Sequence, residues 1–196
     1  MSFKILTAGR VGCALVGATL WLSLPAFAQD DAMLTDARKV AGAVPPKLLD
    51  MLNTQIAKDG PASAVAVCSE KAPQMAKAAS EQTGWAIRRV SLRNRNPKAV
   101  PDAWELAALN DFDQRTAAGE KPATLEKYEL VETATGKEYR YMKALPTQQL
   151  CLACHGPSEK ITPEVAEKLH TLYPADKATG YSVGQIRGAI TIRKAL

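Results

Sequence analysis

The chain has 196 residues, 46% of them hydrophobic and 23% charged, with a formal net charge of +5. That length and balance describe a globular chain with one core, and the basic excess is too small to argue for an anionic partner. No internal repeat, low-complexity tract or Gly-rich phosphate loop is present.

Met1 to Arg10 carries Lys4 and Arg10, the run from Val11 to Pro25 is apolar, and Ala26-Phe27-Ala28 offers small residues for cleavage. This is the build of a secretory signal peptide cut after Ala28. The apolar run is shorter than the roughly 20 residues a membrane span needs, and nothing later is longer or more apolar. The segment 1–28 is thus expected to be removed, leaving 29–196 as one exported, periplasmic domain without stable membrane insertion. Export also removes nucleic acid from the expected partners. Cys13 leaves with the signal, and no long apolar stretch precedes it to make it a lipoprotein cysteine.

Asp30 to Lys58 has helical periodicity in Leu34, Val40, Leu48, Leu49, Leu52 and Ile56, and Pro45-Pro46 should bend or split the helix. Gly60-Pro61 opens a second helix to about Gln82, closed by Gly84. On it Ala64, Cys68, Ala72 and Met75 share one face. Trp85 to Leu92 is a short strand, and Asn94-Arg95-Asn96-Pro97 and Pro101-Asp102 are turns. Asp102 can cap a helix from Ala103 to Ala118. Leu125 to Thr133 and Lys137 to Leu145 form a hairpin through Ala134-Thr135-Gly136, with Tyr139 and Tyr141 on one face and Arg140 and Met142 on the other. After Cys151 to His155, Thr162-Pro163-Glu164 starts a helix to about Leu172. Gly180 to Ile192 is a Gly-rich turn followed by a last strand. Helices first and antiparallel strands later give an α+β domain.

Cys151-Leu152-Ala153-Cys154-His155 carries the chemistry. Two thiols three apart, with an imidazole beside the second, are the attachment signature of a covalent c-type haem, one per chain. Both sulfurs form thioethers from one short turn, and His155 becomes the proximal iron ligand. A thioredoxin-like pair or half of a zinc site are the rival readings; zinc needs four ligands, and only Cys68, His170 and Cys13 remain to supply them. With Cys13 cleaved and two thiols used by haem, Cys68 has no partner in an oxidising compartment. It is either a buried small hydrophobe or the sixth iron ligand, where Met142, Met75 and His170 compete with it.

Four segments, taken together, resemble one family. They are Ala66-Val67-Cys68-Ser69-Glu70-Lys71-Ala72-Pro73; Ile87 to Ser91 with Arg95-Asn96-Pro97 and Pro101 to Glu105; Cys151 to Gly156; and Gly180 to Gly184 with Arg187-Gly188-Ala189. In this order they resemble the PAS-like c-type haem proteins known from cyanobacteria. The family's second asparagine after Arg-Asn-Pro is replaced here by Ala99-Val100. The resemblance implies a PAS-like antiparallel sheet with N-terminal helices, and a haem held by histidine and cysteine, with Cys68 standing where the family's cysteine ligand stands. Arg88, Arg89, Arg93 and Arg95 cluster within eight residues, and arginine can hold haem propionates bidentately. Arg89 and Arg95, inside the family-like segments, are the chosen pair.

Filled axial positions predict a low-spin iron of low potential that serves electron transfer or redox and ligand sensing, with an unidentified redox or signalling partner. A small peroxidase-like enzyme is the alternative, and it would need an acid-base residue that only His170 could supply. A helical bundle of the cytochrome c-prime type is the rival architecture, disfavoured by the Tyr-rich hairpin and the Gly-rich last strand.

Overall fold

The structure, a computed structural model, describes the backbone from Ala26 to Leu196 and the side chains from Asp31 onward. The expected signal peptide, but for its last three residues, lies outside the described residues. Four strands form, β1 (Ala86–Val90), β2 (Glu126–Thr133), β3 (Gly136–Pro146) and β4 (Ile186–Ala195). They pair throughout antiparallel in the order β1-β4-β3-β2. This is the expected α+β architecture, and its sheet excludes the helical bundle.

Alternation along β3 decides what covers each face. Tyr139 and Tyr141 join Trp85, Ile87, Ile190 and Ile192 on one face, under Leu34, Ala37, Val40 and Ala41 of α1 (Ala26–Asp59). Met142 and Ala144 join Val90 and Ala189 on the other, under Ala108, Leu109 and Phe112 of α4 (Ala103–Ala117). Each fully buried large side chain in these layers contributes roughly 2–3 kcal/mol of apolar burial. Polar ties fix the angles between layers. Trp85 Nε1 donates to Asp36 Oδ2 at 2.8 Å, and Arg88 and Arg140 both reach Glu105, which is 2% exposed. Asp102 and Glu105 close a capping box at the start of α4, as the sequence predicts for Asp102.

Two helices depart from expectation. Helix α1 runs through Pro45 and Pro46 without a break. The lost donors would have bonded the carbonyls of Ala41 and Gly42, and exposed Gly42 leaves its carbonyl open to water. The expected second helix is instead three pieces: α2 (Pro61–Ala66), a π-helical turn (Val67–Lys71) and α3 (Ala72–Thr83). Pro73 has no N–H for the carbonyl of Ser69, and the preceding Ala72 N–H reaches back five residues to Val67 O. Gly84, at φ 72°, ends α3 as predicted.

A third, smaller cluster lies away from the sheet. Val65 of α2 packs with Val165, Leu169 and Tyr173 of the α6 region (α6, Pro163–Leu172), and Cys154 leans against them. No described helix is long and apolar enough to cross a membrane.

Candidate functional site

The Cys-x-x-Cys-His segment forms a 3₁₀ turn (Gln149–Cys151) and one helical turn, α5 (Leu152–His155). Four residues cannot hold a helix by themselves, so the rest of the chain must. Gly156 N–H bonds Leu152 O, Arg95 Nη2 bonds Cys154 O at 2.6 Å, and Tyr181 N–H bonds His155 O at 2.9 Å. Gly180 N–H then reaches Gly156 O at 2.7 Å. A side chain at Gly156 would put its Cβ 2.6 Å from Leu152 O, so only glycine permits this exit. The segment 176–181 thus forms a strap over the end of α5.

The same strap orients His155. Its Nδ1 lies 2.7 Å from Ala178 O, and since a carbonyl only accepts, the network assigns the proton to Nδ1. Burial, followed by the charges of Arg187 and Arg95, holds the imidazole pKa well below its ordinary range. The neutral ring therefore carries its lone pair on Nε2, the tautomer a metal ligand requires. Tyr181 stands edge-on to it at 6.4 Å.

Cys151, Cys154 and Cys68 are all free and half-buried. Burial pushes the Cys154 thiol up to about 11, and it also raises Cys68 against the opposing charges of Arg89, Arg95 and Arg187. A raised Cys154 thiol is the opposite of the lowered pKa that an activated redox thiol needs. A zinc site is excluded as well, because no three His, Cys, Asp or Glu side chains gather as metal ligands among the described residues.

Cys68 sits on the π turn, within electrostatic reach of Cys151, Cys154, Arg89 and Arg95. Its rivals fare differently. Met142 is fully buried under α4, in the core on that face of the sheet, so it is withdrawn as a ligand. His170 is exposed on α6, and Met75 is half-buried on α3 outside the three apolar clusters.

The two chosen arginines separate. Arg89 opens to solvent on one side while protein lines the other, and this desolvation lowers its pKa; it makes no hydrogen bond or ion pair among the described residues. Arg95 is 8% exposed and committed to the fold: it pairs with Asp176 at 2.9 Å and bonds the carbonyls of Cys154 and Ala178. Its guanidinium builds the strap, a structural role that charge in the sequence does not reveal.

Sequence reasoning passed over Arg187, 6% exposed, whose Nε is 3.2 Å from His155 Nδ1 and whose Nη1 donates to Ser91 Oγ at 2.9 Å. A lone arginine in Ile186-Arg187-Gly188-Ala189-Ile190, otherwise apolar, was the available sign. Trp85, Tyr139 and Tyr141 are core residues on the α1 face. On the outer side of the turn lies an open groove of about 470 Å³, lined by Gln149, Leu152, Ala153, Pro157, Tyr181 and Val183 among others.

No curated protein matches the chain. Among solved structures, the crystal structure of the cyanobacterial heme-protein Tll0287 shares its fold, with a TM-score of 0.60 and 24% identity, over 86% of this chain and 95% of that one. The Tll0287-like family model matches residues 26–194, from the start of α1 to the next-to-last residue of β4, and the chain therefore belongs to the Tll0287-like family.

Proposed function

We propose that the chain is an exported haem protein, with haem c bound covalently to Cys151 and Cys154 and its iron held by His155 and Cys68. One observation carries the reading: the Nδ1–H of His155 is tied to Ala178 O, leaving Nε2 free beside two unpaired thiols on the same turn. Membership of a family that includes a protein described as a heme-protein supports it. The residues fit the group. Cys151 and Cys154 lie on one turn with sulfurs for two thioethers, and Cys68 is carried on the π turn that continues α2, the helix that packs on α5.

Bound haem supplies reversible one-electron iron chemistry. The protein's part is to hold it. The strap fixes the imidazole orientation, Arg95 locks the strap to the turn, and Val65, Val165, Leu169 and Tyr173 keep water from the Cys154 side. With His155 and Cys68 both holding the iron, the site would suit electron transfer or redox sensing with a partner protein rather than substrate turnover. The peroxidase-like alternative loses its acid-base candidate, since His170 points outward from α6.

The ferric protein is expected to show a thiolate-ligated, low-spin absorption spectrum that Cys68→Ala abolishes. An unchanged spectrum in that variant removes Cys68 from the iron and leaves the haem reading standing. Absence of haem from the purified exported chain removes both.

A further inference from the structure

Three guanidinium groups, of Arg89, Arg95 and Arg187, lie close enough for each to feel the others. One carboxylate stands among them, that of Asp176, and Arg95 takes it at 2.9 Å. Arg187, at 6% exposure, bonds only neutral acceptors, Ser91 Oγ at 2.9 Å and Arg93 O at 3.3 Å. Arg89 has no hydrogen bond or ion pair among the described residues. Arg89 is exposed on β1, so the burial penalty falls on Arg187, and a buried cation without an anion is strongly unfavourable.

The surroundings hold Arg187 in place for such a ligand. Its guanidinium lies 5.2 Å from the Tyr181 ring centroid, with Arg93 3.6 Å from the same ring. The β3–β4 register shifts between Leu145 and Pro146, so Ile186 and Ala189, three apart, lie in the same cluster under α4. Bulges of this kind re-aim side chains at sheet ends. The Nε of Arg187 comes to 3.2 Å from His155 Nδ1, whose proton is already given to Ala178 O, so it cannot be a simple hydrogen bond to the imidazole.

We propose that Arg187 and Arg89 form a two-cation site for the two propionate carboxylates of the haem, with Arg187 fixing one of them beside the proximal histidine. This rests on the haem reading above. Two guanidinium groups without an ion-pair partner among the described residues match two carboxylates, and Arg187's planar fork can donate to one of them with hydrogens not used by Ser91. Arg95 is then a builder of the strap and not a cofactor contact.

The test is the resonance Raman spectrum of the ferric holoprotein, in which the propionate bending band reports hydrogen bonding at the carboxylates. Arg187→Met and Arg89→Met are each expected to shift that band, and Arg187→Lys to shift it less. Arg95→Met is expected to lower the melting temperature and leave the band in place. Arg89 is exposed and makes no side-chain hydrogen bond or ion pair among the described residues, so its variant is expected to fold even where Arg187→Met does not. A purely structural Arg187 predicts a lowered melting temperature with an unmoved band, and that result overturns the proposal. So does a band that moves only in Arg95→Met. Mass spectrometry of the chain reads haem attachment separately: haem present with unmoved bands sinks this assignment alone, and haem absent sinks the parent reading with it.

Discussion

At the scale of single residues, the site divides into what sequence neighbours determine and what folding brings. Cys151, Cys154 and His155 were legible because their geometry is that of one turn, and five consecutive residues contain it. The Ala178 carbonyl that orients His155 lies 23 residues on, and Arg187 lies 32 residues on, so neither contact exists until the strap and β4 close over the turn. Arg95 shows the limit of charge as a signal: it stands in a family-like segment, but its pairing with Asp176, 81 residues on, is not visible there. Gly188 offers a test of how tightly β4 passes the site. At φ 150° its missing Cβ would lie 2.3 Å from Val90 O and 3.1 Å from Ser91 Cβ, the residue that anchors Arg187. Gly188→Ala is expected to cost about 3 kcal/mol in denaturant unfolding, since backbone must move to admit the methyl. A loss within experimental error would mean that β1 and β4 part easily here.

At the scale of elements, period and capping located every strand and most helix ends. The two hairpin faces are those the alternation predicts, because one side of β3 meets α1 and the other meets α4. The π turn was missed for a physical reason: a period of 3.6 residues describes a helix that closes every bond, and Pro73 leaves one open. An i→i+5 turn holds one residue more than an α turn, so it rotates α2 about the common axis relative to α3. Cys68 lies on that turn, between α2, which packs on α5 and α6, and α3, which packs on α1 and β1. Deleting Ser69 should close the turn to an α-helix with α2 and α3 intact. The expected outcome is a retained far-ultraviolet circular dichroism spectrum with the thiolate signature lost from the ferric absorption spectrum. Retention of that signature would show that the π turn is not what aims the thiol.

At the scale of the whole molecule, helices cover both sheet faces, and the site joins the third cluster, against which Cys154 leans, to β4, whose Arg187 reaches His155. Stability against acid lies with the sheet layers. Burial opposes ionisation of Asp102, but the Glu105 backbone N–H and the Arg140 guanidinium prevail and hold its carboxyl below the usual range. Its folded pKa is depressed, so the stabilisation is present above the unfolded value of about 4 and is lost as pH falls through the folded one. Asp102→Asn keeps a capping side chain and removes the charge. Its melting temperature should therefore fall less steeply than the parent's below about pH 4, and parallel slopes would remove Asp102 from the acid transition. The strand order has a consequence in time as well as in space. The last strand in sequence, β4, is an interior strand of the sheet, and the strap that seals α5 is made just before it. While the chain emerges, β1 waits for a neighbour that does not yet exist, and Cys151, Cys154 and His155 stay uncovered. If haem is joined to those two sulfurs as proposed, the joining step would have its working interval before the final strand inserts, and folding would then close over a finished bond.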